Sequence, residues 1–188
     1  MKTHNISIGM CITIFVLLSI MGVSRANAMY VFNDPERPEE SGKAATIVYR
    51  ALSDFFKSLE ALERGDLNTV RLTKSKMLES LGKTISLYEN MEARIKEEPI
   101  DIRKIPPGEL QTIRADFARI RIDFPKSTKG LARIATQEIT HFMDSLEKIT
   151  FTEVPAENRK LIKLINNEIW RLLLSGVFVS ELWSWIRN

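Results

Sequence analysis

The chain has 188 residues, of which 44% are hydrophobic and 27% charged, with a formal net charge of +3. That length holds one ordinary domain with an apolar core and is short for two. Its 8 glycines and 7 prolines speak against a turn-rich β architecture, and so small a positive charge does not by itself call for a nucleic-acid partner.

Residues 1–28 read as a signal peptide. Lys2 supplies a positive start, Ile6 to Val23 is an almost unbroken apolar run, and Ala26-Asn27-Ala28 offers the small residues a signal peptidase needs. No acidic residue precedes Asp34. The expected mature chain begins at Met29, in the periplasm or the secreted fraction. The apolar run is long for a signal and approaches the roughly 18 residues that can span a bilayer, so an uncleaved inner-membrane anchor is the alternative. The only cysteine, Cys11, falls inside this segment. The mature chain therefore has no disulfide, thiolate nucleophile or cysteine metal site. Cys11 precedes most of the apolar run, which rules it out as a lipoprotein acylation site.

Met29 to Glu40 reads as an irregular lead-in with breakers at Asn33-Asp34-Pro35 and Arg37-Pro38. The helical bundle domain is expected over 41–188. A first helix begins after Ser41, an N-cap residue, keeps Ile47, Val48, Ala51, Leu52, Phe55, Leu59 and Leu62 on one face, and ends at Gly65. Asp66 then caps a second helix at once, which forces the two to run antiparallel. The turn from Leu62 to Leu67 resembles those of helical hairpins such as tetratricopeptide repeats. No second copy follows at a period of about 34 residues, which excludes a repeat array.

The second helix is expected from Leu67 to about Lys96, with Leu67, Val70, Met77, Leu81, Tyr88, Met91 and Ile95 at coiled-coil spacing. Its length would be about 45 Å. A shorter third helix, 107–123, opens at Pro106-Pro107 and carries Leu110, Ile113, Phe117, Ile120 and Phe124. Pro125 must break or kink it. A fourth helix over about 126–149 follows, then a connector from Ile149 to Val154, and Pro155 opens the fifth.

The fifth helix, up to Arg187, is the one around which the chain is expected to pack. One stripe comprises Leu161, Ile165, Ile169, Leu172, Val179 and Trp183. A second set, Trp170, Leu174, Val177, Phe178 and Trp185, lies on the far side. A helix that leans on one core shows one apolar stripe, so the second set is either further core or an interface for a protein partner, a second copy or a membrane surface. Arg171, Glu181 and Asn166-Asn167 within the run argue against a transmembrane helix.

Catalytic signatures are scarce. The mature chain has one histidine, His141, and no Gly-x-Ser-x-Gly elbow, P-loop or dinucleotide fingerprint. Glu138 and His141 form the Glu-x-x-His pair that di-iron bundles use, but those need a second such pair. A single metal would have to borrow Glu60, Glu89 or Glu92. A haem without covalent attachment would pair His141 with Met77, Met91 or Met143, which read as core filler. The basic residues between Arg103 and Arg133 are interspersed with acids and lack interleaved aromatics, as on a solvated face rather than a nucleic-acid platform.

The expected fold is all-α: an antiparallel bundle of four long helices plus a shorter fifth, or a kinked third. The expected function is non-enzymatic binding of a protein partner or a membrane surface through the last helix, with no cofactor and no nucleic acid. The alternative is a bundle that carries a metal or cofactor on Glu138 and His141.

Overall fold

The protein is described by a computed structural model that covers residues 66–187 and, before them, residues 47, 50, 52–55 and 57–59. The signal segment, the lead-in, and the bounds of the first helix at Ser41 and Gly65 lie outside the described residues. Those that are described between 47 and 59 are helical. After them come α1 (Leu67–Arg94), a single 3-10 turn (Ile102–Lys104), α2 (Pro107–Arg119), α3 (Thr128–Glu147) and α4 (Pro155–Arg187). One isolated bridge joins Pro99 to Ser127, and no strand occurs among the described residues. The fold is all-α.

Local chemistry sets the helix ends. The Asp66 side chain accepts from Thr69 N at 3.0 Å and caps α1. Its buried residues Val70, Met77, Leu81, Thr84, Tyr88 and Met91 keep the seven-residue seam that the sequence predicts, with Thr84 donating to the Ser80 carbonyl so that its hydroxyl is satisfied. Ser127 caps α3 by accepting from Gly130 N at 3.0 Å.

The break before Pro125 is present, but proline is not its cause. Helix α2 stops at Arg119, and Arg121 adopts φ 61°. Ile122 N donates to the Phe117 carbonyl at 3.0 Å and Arg121 N to that of Ala118 at 3.0 Å. This is the paired Schellman closure, with an arginine where glycine usually stands. The helix therefore ends short of the expected residue 123.

Two straps set α1 against α3. At one end Ile100 N donates to the Lys126 carbonyl and Thr128 N to that of Glu98, while Thr128 Oγ1 donates to the Lys96 carbonyl at 2.7 Å. At the other, Lys74 Nζ donates to the carbonyls of Glu147 and Ile149, placing a cation where the α3 dipole is negative. Glu92 pairs with Arg133 at 3.0 Å between them. The order of these contacts makes α1 and α3 antiparallel.

The connector 148–154 turns the chain back. Asn158 accepts from Thr152 N at 3.0 Å and donates to its carbonyl at 2.6 Å, and Phe151 is buried. Among the described residues α3 packs against both α1 and α4, and α4 packs against α2 as well. The last helix spans two apolar clusters. Its first half gives Ile165, Ile169 and Leu172 to a cluster with Phe55, Met77, Leu81 and Phe142. Its second half gives Phe178, Val179 and Leu182 to a cluster with Ile113, Phe117 and Leu131.

Candidate functional site

Helix α4 is 33 residues long. Over Pro155–Ile186 it is long and apolar enough to cross a membrane, and 39% of its most apolar window is buried within the fold. A helix this apolar and this incompletely covered leaves apolar surface open to solvent.

The five far-side residues do not share one environment. Val177 is 39% exposed. Trp170 is half-buried. Leu174 and Trp185 are half-buried and lean on the second cluster. Phe178 is buried, its ring centroid 6.1 Å from that of Phe117, because α2 covers that flank of α4. The Arg119 guanidinium also lies over the Phe178 ring, 5.7 Å from its centroid. Leu164, which the helical pattern did not single out, is 56% exposed on the first half of α4.

Glu138 and His141 do come to one place, and a cation already holds it. Arg171 donates from Nε to Glu138 Oε2 at 2.7 Å and from Nη2 to Oε1 at 2.9 Å. Both carboxylate oxygens are thus taken by a fork-shaped partner. His141 Nε2 lies 3.0 Å from Glu168 Oε2 and 3.5 Å from Arg171 Nη1. The approach to Glu168 lacks hydrogen-bond geometry, and no hydrogen bond reaches that oxygen. The hydrogen bonds to Glu138 raise the Arg171 pKa further above its ordinary value; burial opposes this, and the charges of Glu138 and Glu168 reinforce it.

An added metal ion would meet the guanidinium at the same carboxylate. Among the described residues no group of three or more His, Cys, Asp and Glu side chains is placed to hold a metal. Glu60 lies outside the described residues, Glu89 is exposed on α1, and Glu92 is engaged by Arg133. Met77 and Met91 are fully buried in the first cluster, and Met143 packs on its edge.

The basic residues between 103 and 133 are largely bound to the fold itself. Arg103 pairs with Asp101 at 2.8 Å. Arg114 stacks on Phe124 at 5.3 Å, and Arg119 lies 3.6 Å from Asp116. Lys104 donates to the Ile186 carbonyl at 3.3 Å. A groove between the described residues 47–58 and α1 is lined by Arg50, Lys57, Lys76 and Lys83 beside Asp54, Asp66 and Glu79, and this near balance selects no charged ligand.

Pairing across helices is what sequence reading missed. Arg171 stands out as a charge inside an apolar run, and Glu138 only as part of the Glu-x-x-His pair. Their partnership depends on the α3–α4 register, which no pattern within one helix records. Comparison with protein-family models, curated proteins and solved structures finds no match for this chain.

Proposed function

We propose that this chain is an exported, non-enzymatic helical module that acts by contact, with the outer face of α4 as its contact surface. The fold we envisage is the antiparallel bundle of four long helices in which residues 41–65 supply the first, preceded by a signal peptide cleaved after Ala28. The observation that carries this reading is the exposure of Val177, 39%, beside fully buried Val179 on the same turn of helix. A helix that served only as core would hide both sides. The occupants open to such a face are a protein partner and the membrane surface.

The alternative, a metal or cofactor on Glu138 and His141, is disfavoured by the Arg171 fork on Glu138. Each carboxylate oxygen would have to exchange a charge-assisted hydrogen bond for the metal.

The mature chain lacks cysteine if cleavage follows Ala28, so single-cysteine variants can carry a photo-crosslinker. Val177→Cys in the native envelope is expected to give discrete crosslinks. Leu72→Cys, at a residue 58% exposed on α1, is expected to give none. Equal labelling from both positions, or none from Val177→Cys, would overturn the reading. N-terminal sequencing of the same material is expected to begin at Met29.

A further inference from the structure

The outer face of α4 carries a seam of its own. Lys163, Asn167, Trp170, Leu174, Val177 and Glu181 recur at alternating steps of four and three along the sequence, the spacing of a coiled-coil contact line. Every one of them is exposed or half-buried; Leu174 also touches the edge of the second cluster, while Ile165, Ile169, Leu172 and Val179 lie on the opposite side of the helix. From Lys163 to Glu181 the line runs about 27 Å. Its middle is apolar and its ends carry opposite charge.

The charged ends are asymmetric in a useful way. Lys163 is exposed, with Lys160 exposed one turn before it. Glu181 faces Asp116 and Glu109 of α2, whose negative charges, after the larger effect of burial, disfavour its ionised form. Neither Lys163 nor Glu181 belongs to an ion pair among the described residues. Among the described residues Lys163 therefore has no carboxylate partner and Glu181 no cationic one.

A second copy of the same helix, reversed, supplies both. Trp170 and Leu174 are equidistant from Leu172, and so are Lys163 and Glu181. One antiparallel register thus sets Trp170 against Leu174 of the second copy and Lys163 against its Glu181, twice over, about a two-fold axis at the level of Leu172. Such an isologous pairing is what a symmetric dimer requires. A parallel pairing would set Lys163 beside Lys163 and Glu181 beside Glu181. An anionic lipid surface would meet Glu181, Asp116 and Glu109 with like charge. We infer that two copies of this chain associate through antiparallel pairing of α4 along the Lys163–Glu181 seam. The inference rests on the reading of α4 as a contact surface and names its occupant.

Sedimentation of the purified protein tests it. The wild type is expected to dimerise, and Lys163→Glu or Glu181→Lys alone to weaken the dimer by about tenfold or more. The double variant Lys163→Glu/Glu181→Lys is expected to recover it, because each pair re-forms with its signs exchanged. Lys163 is exposed and Glu181 half-buried, and far-ultraviolet circular dichroism checks that each variant is folded. A wild type that stays monomeric, or a double variant as weak as the single ones, would overturn the inference. A monomer that still gives Val177→Cys crosslinks to another protein, or that floats with phosphatidylglycerol vesicles, would overturn the dimer and keep the contact surface. A monomer with neither property would remove both.

Discussion

Arg171 on α4 grips Glu138 on α3 through two hydrogen bonds of 2.7 and 2.9 Å, and the glutamate side chain is only 8% exposed. The pair fixes how far α4 slides along α3, and with it which residues α4 shows to solvent. Removing one partner of a buried pair strands the other charge, which is the costly change; replacing both with apolar groups is often close to neutral. Arg171→Met should therefore cost about 3 kcal/mol in urea unfolding, and Glu138→Leu/Arg171→Met clearly less than Arg171→Met alone. A single variant as stable as wild type would contradict the structural role.

Arg121 holds a left-handed backbone, φ 61°, at the end of α2. A side chain there crowds the following carbonyl at roughly 1–2 kcal/mol, a penalty that glycine escapes. Arg121→Gly should stabilise the protein by about 0.5–1 kcal/mol, read as a rise in denaturation midpoint with unchanged slope. Arg121→Val should be destabilising, because a β-branched residue tolerates that conformation least.

Phe117 is fully buried between Phe124 and Phe178, with ring centroids 5.9 and 6.1 Å away. It joins α2 to the second half of α4. Phe117→Ala should cost about 3–5 kcal/mol, with the loss centred on the second cluster. Hydrogen exchange should then rise first in α2 and the C-terminal half of α4 rather than in α1.

Glu181 gives the seam a pH dependence with a definite sign. Burial, then Asp116 and Glu109, raise its pKa above the ordinary carboxylate value in the single chain. Arg119, 3.6 Å from Asp116, is the nearby cation on α2. For the single chain, stability from this group is fully present below the ordinary carboxylate range and is lost as pH rises through the raised value. Opposite Lys163 of a second copy the ionised form is favoured instead, so dimerisation should be full above the raised value and weaken as pH falls through it. Glu181→Gln should make the dimer weaker and less sensitive to pH, and the single chain more stable at neutral pH. Sedimentation across pH checks the first; melts in the Val177→Asp background check the second.

Legibility followed the range of the signal. The cap at Asp66, the heptad in α1 and Pro155 at the start of α4 are local chemistry, and α1 and α4 start where that chemistry puts them; α3 starts two residues after the expected 126, because Ser127 caps it. The end of α2 was hidden because arginine in a left-handed cap carries no compositional mark; Pro125 drew attention to the right region for the wrong reason. The division of α4 was half visible. Periodicity separates two sides of a helix, but only the placement of α2 decides that Phe178 turns inward while Val177 does not. That Glu138 meets Arg171, and His141 meets Glu168, depends on register between helices, and a single sequence does not encode it in any pattern readable by eye.

The central claim, that α4 is core on one side and contact surface on the other, is tested most directly by placing the same charge on two valines two residues apart. Val179 is 0% exposed and Val177 39%. Thermal melts and sedimentation of Val179→Asp and Val177→Asp should diverge. Val179→Asp is predicted to unfold the protein or lower its stability by several kcal/mol, about the cost of an unpaired buried charge. Val177→Asp is predicted to leave a folded chain within roughly 0.5 kcal/mol of wild type in its monomeric form, with its association lost. Equal, severe unfolding by both would show that the outer side of α4 is core as well, and the account would be wrong.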